Sequence, residues 1–406
     1  MSLPRLLAGA HADRPLSLAE HLALHGPSPR GGSQLIERVE HAGLRGRGGA
    51  SFPAAVKLRS VAKRRGPRAL LVNAAEGDPM SAKDRVLLEL VPHLVLDGAL
   101  AAAAAIGAGP VVVAVPDDAT AARNALETAM RERGGDRAVS VADVPVAYLA
   151  GEETALIAFL DGRPLRPTTA PPRPFERGLR RRPTLVQNPE TLAHIALIDR
   201  HGPAWFRQVG TRDHPGSALI TVTGAVALPG VQEIACGATL SSVLAAAGGS
   251  VEPLRAVLVG GCHGVWIAGA ELETVTLDDV GLAVHGGGLS AGVIVALGQS
   301  ACPAQELAHA IGYLAEQSAG QCGPCSNGLP AIAELLAAAI AGRALPGAHR
   351  RLERWSRDLP GRGACHMPDG AVRVLRSGMR VFAHELAAHE RGPCRACGRA
   401  PTLALP

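Results

Sequence analysis

The chain has few aromatic residues: its 406 residues include three Trp, two Tyr and five Phe. Aromatic faces commonly stack planar heterocycles and nucleic-acid bases, so few positions are available for such contacts. The densest basic stretch, ERGLRRRP at positions 176–183, has no interleaved aromatic residue, and the net charge of +5 is spread along the chain. We therefore predict no nucleic-acid interface, and we interpret this stretch as a solvated or phosphate-facing loop.

The chain also lacks an apolar leader and an uninterrupted membrane span. Its first fifteen residues contain no apolar run long enough for a signal peptide. Residues 90–115 are apolar enough to suggest a span, but His93, Asp97 and Pro110 interrupt them, so two buried elements are favoured. We expect a cytoplasmic protein, in which the eight cysteines are more readily metal ligands or free thiols than disulfides.

The pattern of elements divides the chain into five segments. Residues 1–34 form an N-terminal extension, and residues 35–210 alternate strands with helices, which is typical of an α/β domain with a largely parallel sheet. Residues 211–298 are rich in strands with one short helix. Residues 299–392 contain four amphipathic segments of helical period, which predict a helical bundle, and residues 393–406 form a tail with a Cys-x-x-Cys.

A glycine-rich stretch, HAGLRGRGGASFPAAVK, contains the first candidate site. Glycines let main-chain N–H groups approach a phosphate closely, and the flanking cations neutralise its charge. The spacing is neither the dinucleotide fingerprint nor the P-loop pattern, so a flexible turn stays an alternative. The candidate residues are Gly43, Gly46, Gly48, Gly49, Arg45, Arg47 and Lys57.

Three further stretches place polar residues beside predicted strands or helix starts. NAAEGDPMSAKDR follows a strand, where open parallel sheets bind ligands, but an Asx-rich turn explains it equally. YLAGEETAL puts Glu152 and Glu153 at a helix N-terminus, where the helix dipole alone would stabilise them. In PTLVQNPETLAH, Asn188 and Thr191 are suited either to bind a heterocycle or to cap the next helix.

Taken together and in this order, the four stretches resemble the F subunit of NADH-quinone oxidoreductase and the diaphorase subunits of NAD-reducing hydrogenases and formate dehydrogenases. That family shows G-L-R-G-R-G-G-x-G-F-P, N-x-x-E-x-x-P with K-D-R, Y-x-x-G-E-E-T-A-L and N-N-x-E-T-L-A. The resemblance extends from about Gly43 to His389. It implies a Rossmann-like FMN-binding α/β domain, a ubiquitin-like (SLBB, β-grasp) domain and a C-terminal four-helix bundle.

The resemblance also implies the site residues. In such a protein the glycine-rich loop and Lys57 would bind the phosphate and ribityl end of FMN, and Glu152 and Glu153 would help to place NAD(P)H over the flavin. The cofactor-binding residues it implies are Gly46, Arg47, Gly48, Gly49, Phe52, Lys57, Asn73, Glu76, Tyr148, Gly151, Asn188 and Thr191.

The family holds one [4Fe–4S] cluster with S-C-G-x-C-x-P-C and a fourth cysteine about forty residues later. Here Cys322, Cys325 and Cys365 match three of these positions, but Ala319 stands where the first cysteine belongs. Three interpretations stay open: another fourth ligand, a three-iron or labile cluster, or no intact cluster. Ser318, His366 or a tail cysteine are the candidates for the replacement ligand.

The remaining cysteines have weaker assignments. Cys394 and Cys397 in the tail would either supply the missing thiolate or join Cys322 and Cys325 in a Cys₄ zinc site, although the sequence separation exceeds the usual zinc-ribbon interval. We expect three others to be ordinary buried thiols: Cys236, Cys262 and Cys302.

Several positions depart from the family pattern near the nucleotide. Phe52 keeps one of the family's phenylalanines, no aromatic residue follows it until Tyr148, and the family's P-P-F-P reads here with Arg173 in third place. An arginine stacks on rings and also pairs with phosphate, so NADPH, or a different electron donor altogether, stays an alternative to NADH. Other replacements touch the flavin site: Ser51, Ala75 and Gln187.

These observations predict an enzyme that passes electrons from NAD(P)H through FMN to an iron–sulfur cluster. A flavin accepts a hydride and releases electrons singly, so a one-electron acceptor must lie nearby. The expected partner is a ferredoxin-like or other redox protein subunit, with no nucleic acid and no membrane span; a peripheral place on a membrane complex stays open. The alternative is a degenerate paralogue that serves as a non-catalytic docking or assembly subunit.

Overall fold

The computed structural model describes residues 3–29, 31–135, 138–343, 347–389 and 391–406. The strands in these ranges are β1 Arg68–Asn73, β2 Ala108–Pro116, β3 Val139–Val144, β4 Thr184–Gln187, β5 Ser217–Gly224, β6 Gly230–Ala235, β7 Leu254–Val259, β8 Val265–Ala268 and β9 Val293–Gly298. The helices are α1 Leu18–His25, α2 Gln34–Ala42, α3 Ala54–Ala62, α4 Lys83–Leu90, α5 Pro92–Ile106, α6 Thr120–Glu132, α7 Glu153–Leu160, α8 Pro189–Phe206, α9 Leu240–Ala246, α10 Asp279–Ala283, α11 Pro303–Glu316, α12 Leu329–Ile340, α13 Ala348–Asp358, α14 Met367–Val381 and α15 Ala383–His389.

The first sheet has four parallel strands in the order β3-β2-β1-β4. Its inner strand β1 buries Leu70, Leu71 and Val72 completely, as expected for a parallel sheet covered on both faces. Helices α5 and α8 pack together beside it, and the contact depends on Gly98. A Cβ at this position would lie 1.8 Å from the carbonyl oxygen of Leu192, so only glycine permits this approach. The predicted parallel α/β arrangement is confirmed.

The second sheet has five strands in the order β6-β5-β9-β7-β8 and mixes parallel with antiparallel pairs. Strands β5, β6, β7 and β9 and the short helix α9 fit the predicted strand-rich segment with one short helix, but α10 is a second helix that the prediction did not include. Strand β8 was missed, because VWIA is four residues long and is flanked by glycines.

Helices dominate the described residues after β9, which contain no strand. Three of the four predicted amphipathic segments correspond to single helices: α11, α12 and α13. The fourth is two helices, α14 and α15, separated at Phe382, whose φ of −107° is not helical. The prediction of one helix was therefore wrong. The sequence has no glycine or proline at this position that would have indicated the break.

Contacts group the chain into two compact units. The first comprises residues 1–77, 82–219 and 231–237, and the second comprises residues 78–81, 220–230 and 238–406. The finer five-segment division stays a prediction. In the described ranges no single helix has the length and apolar composition of a bilayer-spanning segment; only the pair α4 and α5, bent by 100°, meets both criteria together.

Candidate functional site

The glycine-rich loop lies in the first unit between α2 and α3. Gly46 N–H donates to the carbonyl oxygen of Phe52 at 2.8 Å, which closes the loop on itself. Gly48 and Gly49 are exposed at its tip, and Gly49 has a φ of +106°, a conformation that favours glycine. The loop leads directly into the N-terminus of α3, which begins at Ala54. An exposed glycine backbone beside a helix N-terminus suits a phosphate.

Arg47 is buried in the first unit, whereas the next two residues of the loop, Gly48 and Gly49, are exposed. Its guanidinium lies 2.8 Å from His214 Nε2 and donates to Cys236 Sγ at 3.3 Å. Its Nε lies 3.9 Å from Glu190 Oε1. The charge of Arg47 is thus held among protein groups, and the role predicted for it in phosphate binding stays a prediction.

The same loop is anchored to the start of α8. The main-chain N–H of Arg47 donates to Thr191 Oγ1 at 2.9 Å, and the side-chain amide of Asn188 donates to the Arg47 carbonyl at 3.2 Å. Asn188 is the N-cap of α8: its Oδ1 accepts from the main-chain N–H and from the hydroxyl of Thr191. Thr191 is completely buried. Both residues are therefore brought to the loop: Asn188 caps α8, and Thr191 holds the main chain of Arg47.

A buried ionic network joins two of the predicted stretches. Lys83 Nζ lies 3.0 Å from Asp84 Oδ1 and 2.9 Å from Glu190 Oε2. Burial alone would lower the pKa of Lys83, but the carboxylates of Asp84, Glu190 and Glu76 together raise it above its ordinary value. Burial raises the pKa of Glu190, against the opposing effects of Lys83 and Arg47. The network holds α4 and α8 together beside the glycine-rich loop.

Asn73 and Glu76 organise the loop that follows β1. Asn73 Nδ2 donates to the carbonyl oxygen of Gly151 at 2.9 Å, and a Cβ on Gly77 would lie 2.3 Å from the carbonyl oxygen of Tyr148. The loop therefore touches the turn that precedes α7. Glu76 has a φ of +43°, and its carboxylate accepts from two main-chain N–H groups in the first turn of α4, those of Asp84 and Arg85.

Glu152 and Glu153 stand at the N-terminus of α7 with different partners. Glu152 is the N-cap: its Oε2 accepts from Thr154 N at 3.0 Å and from Ala155 N at 2.7 Å, and burial raises its pKa. Glu153 Oε2 lies 2.9 Å from the ammonium of Lys57, and both side chains are about one-third exposed. An ion pair thus joins Glu153, predicted to help place the nicotinamide, to Lys57, predicted to bind the FMN phosphate.

A cavity of about 740 Å³ opens in the first unit beside α7. Its lining includes Thr154 and Asp161, and Asp161 accepts from the main-chain N–H of Arg180 at 2.8 Å. Four arginines line it: Arg163, Arg177, Arg180 and Arg181. The basic stretch, which the sequence indicated as a solvated or phosphate-facing loop, therefore contributes three arginines to a cavity large enough for part of a nucleotide.

Cys322, Cys325 and Cys365 belong to the second unit. Cys325 lies in a π-helical turn, Pro324–Gly328, and its main-chain N–H donates to the Cys322 carbonyl at 3.0 Å. Burial raises the pKa of the Cys325 thiol to about 12, with further contributions from Cys322 and Cys365, and the Ser318 side chain hydrogen-bonds to it. The role predicted for these three cysteines as cluster ligands stays a prediction. Of the candidates for the fourth ligand, Ser318 thus has a hydrogen bond to one of these cysteines, whereas the side chain of His366 is 97% exposed.

The tail cysteines have other neighbours than the sequence predicts. In the described residues, the ligand atoms of Cys394 and Cys397 lie within 4.8 Å of Cys302 and His389, in a group that contains none of the three motif cysteines. Cys302 is buried as expected, but it is not isolated. The close spacing of His389, Cys394 and Cys397 is the sequence signal for this grouping, whereas 87 residues separate Cys302 from His389.

Asp78 is a buried carboxylate of the second unit, in the stretch for which the sequence left a ligand site and an Asx-rich turn as alternatives. It accepts from Cys262 N at 2.6 Å and from Met80 N at 3.1 Å. Burial nevertheless raises its pKa to about 6. A Cβ on Gly261 would lie 2.1 Å from Asp78 Oδ2, so the carboxylate is tightly enclosed.

Comparison with known proteins finds two matching family models. The Nuo51 FMN-binding domain matches residues 39–197, and the NADH-ubiquinone oxidoreductase-F iron-sulfur binding region matches residues 305–389. The F 2 subunit of NADH-quinone oxidoreductase in Rhizobium meliloti is 33% identical over 373 residues, covering 88% of each chain. The corresponding F subunit in Escherichia coli is 32% identical, covering 91% of this chain and 87% of that one.

Two crystal structures of an NAD⁺-reducing [NiFe]-hydrogenase are also similar. The air-oxidised form superposes with a TM-score of 0.87 at 32% identity over 95% of this chain, and the H₂-reduced form with 0.82 over 87%. This chain spans 67% and 62% of the length of those hydrogenase chains. The likeness therefore extends over the mixed α/β fold with its parallel sheet and its second sheet.

Proposed function

Because this chain belongs to the family of NADH-quinone oxidoreductase F subunits, we propose that it oxidises a reduced nicotinamide and passes the electrons to a protein partner. The chain contains the FMN-binding domain and the iron–sulfur binding region of this family. Bound FMN supplies the conversion of a hydride into single electrons, which the cluster can accept. The single observation that carries the proposal is the exposed Gly48–Gly49 tip, anchored by Thr191 and followed by the start of α3.

The first unit would hold the phosphate end of FMN. Gly46 N–H and Arg47 N–H already have protein acceptors, so the exposed main chain at Gly48 and Gly49 is the better-placed part of the predicted cradle. Lys57 adds an ammonium on α3, one-third exposed and shared with Glu153. These groups fit a dianionic phosphate in chemistry and accessibility. The complete set proposed to form the cofactor site, either by contact or by holding the loop in place as Thr191 does, is Gly46, Arg47, Gly48, Gly49, Phe52, Lys57, Asn73, Glu76, Tyr148, Gly151, Asn188 and Thr191.

Glu152 and Glu153 would position the nicotinamide rather than exchange a proton with it. Glu152 uses its carboxylate to cap α7, which fixes the turn at Gly151 that Asn73 also holds. Glu153 is restrained by Lys57 and stays accessible. Phe52 is 46% exposed, so its ring is available to stack on a heterocycle.

We place recognition of the nucleotide phosphates at the arginine-lined cavity. Its four guanidiniums would neutralise a pyrophosphate or an additional 2′-phosphate, which keeps NADPH open as the donor. The test compares KM for NADH and NADPH in R181Q and in R131Q, a control on α6 outside the cavity. We expect R181Q alone to raise KM, and to raise it more for the donor that the wild type prefers. Unchanged KM values would place the nucleotide elsewhere.

In the second unit we propose that Cys322, Cys325 and Cys365 bind three corners of the iron–sulfur cluster. We propose Ser318, which hydrogen-bonds to Cys325, for the position that Ala319 cannot fill. Alkoxide or hydroxyl oxygen is a weaker iron ligand than thiolate, so this corner would be labile.

We further propose that residues 211–298 form a ubiquitin-like (SLBB) domain and that the C-terminal helices form the cluster-binding bundle. We also propose that the electron acceptor is a redox subunit of the cytoplasm.

The function is tested on the purified full chain under anaerobic conditions. We expect about one FMN per chain, with flavin absorbance bleached by NADH or NADPH. Gly49 and Gly66 make a matched pair of variants, because both have positive φ but only Gly49 lies in the loop. G49A should lose FMN, and G66A should keep it. A colourless wild-type protein that takes up no FMN would instead support a non-catalytic docking subunit.

A further inference from the structure

We propose that the second unit binds one zinc ion through three thiolates and one imidazole, at a site separate from the iron–sulfur motif. The group, called here the tail quartet, consists of Cys302, His389, Cys394 and Cys397. The zinc would be structural: it would attach the C-terminal tail to the start of α11. This proposal does not depend on FMN, on the nicotinamide or on the cluster.

The distances within the tail quartet fit one tetrahedral ion. Zinc lies about 2.3 Å from sulfur and about 2.0 Å from imidazole nitrogen, so tetrahedral ligands would be about 3.8 Å apart for two sulfurs and about 3.5 Å apart for sulfur and nitrogen. Cys302 Sγ lies 3.5 Å from Cys397 Sγ, and Cys394 Sγ lies 3.7 Å from Cys397 Sγ. His389 Nε2 lies 3.3 Å from the sulfurs of both Cys302 and Cys397.

The imidazole of His389 is already set for metal binding. Its Nδ1 lies 2.7 Å from the carbonyl oxygen of Glu385, which can only accept, so Nδ1 carries the proton. The lone pair is then on Nε2, which faces the sulfurs. A histidine ligand typically donates its other ring N–H to a carbonyl or carboxylate in this way.

The surrounding chain is ordered to hold these ligands. Cys302 is the N-cap of α11, so its sulfur lies at the start of the helix on which the tail is docked. The tail after Cys397 follows the same helix: Gln305 Oε1 accepts from Gly398 N at 2.7 Å, and buried Glu306 accepts from Thr402 N at 2.7 Å. Leu403 is buried at the end of this segment. The tail is thus docked on α11 over several residues, and the tail quartet lies where it begins.

The spacing of the ligand atoms distinguishes the tail quartet from an iron–sulfur site. A cubane cluster attaches each thiolate to a different iron, which keeps its ligand sulfurs much farther apart than a single ion does. The ligand atoms of the tail quartet have the close spacing of ligands to a single ion. Among the described residues, the group with this spacing includes none of Cys322, Cys325 and Cys365. Tetrahedral Cys₃His coordination with a closed shell is typical of structural zinc.

The experiment measures zinc and iron in the anaerobically purified full chain and in two variants, one from each group of cysteines. We expect about one zinc per wild-type chain. C397S should lose at least nine-tenths of its zinc and keep the iron content of the wild type. C322S, the matched control, should lower iron and keep zinc. Zinc retained in C397S, iron lost in place of zinc, or iron found in the tail quartet of the wild type would overturn the proposal.

A second measurement requires no variant and so does not depend on the folding of C397S. Cobalt replaces zinc in the wild type, and a tetrahedral site with three thiolates gives intense visible and sulfur-to-cobalt charge-transfer bands. We also expect zinc removal by a chelator to increase amide hydrogen exchange in residues 398–403 at least several-fold. Absence of the cobalt bands, or a disulfide among these cysteines in the freshly purified protein, would contradict the assignment.

Discussion

Replacing Thr191 with valine tests the anchor that connects the glycine-rich loop to α8. Valine has the shape of threonine but lacks the hydroxyl that accepts from Arg47 N at 2.9 Å. Thr191 is completely buried and Arg47 is 6% exposed, so water cannot replace that acceptor without a shift of the loop. An unpaired buried N–H costs about 1–3 kcal/mol.

That cost appears in one of two measurable quantities. If the loop keeps its place, T191V lowers the free energy of unfolding by about 1–3 kcal/mol. If the loop moves to expose Arg47 N–H, FMN binding must restore it, and Kd rises by about 5- to 150-fold, since 1.4 kcal/mol is a factor of ten. The assay pairs fluorescence titration of the apoprotein with FMN and chemical denaturation of the same sample.

The matched control is T191S, which keeps the hydroxyl and loses one methyl group. We expect T191S to be less stable by about 1 kcal/mol at most and to bind FMN within about threefold of the wild type. The reasoning fails if T191V matches the wild type in both stability and FMN affinity. It fails equally if T191S weakens FMN binding as much as T191V does, because the hydroxyl would then be irrelevant.

Three further predictions concern charge and ligand number. K57Q should weaken FMN binding about tenfold, whereas E153Q should not. Because this ion pair is partly exposed, the free energy of unfolding should change by less than about 1 kcal/mol in either variant. Equal FMN affinities of K57Q and E153Q would refute the role of the ammonium. A319C should raise iron to about four per chain and slow its loss in air, and an unchanged paramagnetic spectrum would count against the ligand assignment. Burial raises the pKa of Asp78 from 3.8 to about 6, so this group stabilises the fold fully at a pH below about 4 and loses that effect as the pH rises through 6. The free energy of unfolding of the wild type should therefore fall relative to D78N by up to about 3 kcal/mol between about pH 4 and pH 7, and a constant difference between the two would show that Asp78 is not shifted.

The sequence was most informative where periodicity and local capping decide the structure. Strand–helix alternation predicted the parallel sheet, and the apolar stretch at 90–115 divides into the end of α4, α5 and β2 as expected. Asn188 and Glu152 were given a capping alternative, and both are N-caps. Such features depend on residues within a few positions of one another.

Contacts between distant residues could not be read in the same way. Arg47 looks like a phosphate ligand in sequence, but Glu190 and His214, more than 140 positions away, enclose its guanidinium. Cys302 looks like an ordinary buried thiol, and only the fold brings it to His389. Composition and spacing supply the chemistry of such residues and leave their partners undetermined.

The most direct test of the central claim is a crystal structure of the chain with FMN. The account predicts the phosphate about 3 Å from the main-chain nitrogens of Gly48 and Gly49, with the ammonium of Lys57 as its counter-ion. A phosphate bound in the arginine-lined cavity, or a loop that stays empty at saturating FMN, would contradict it.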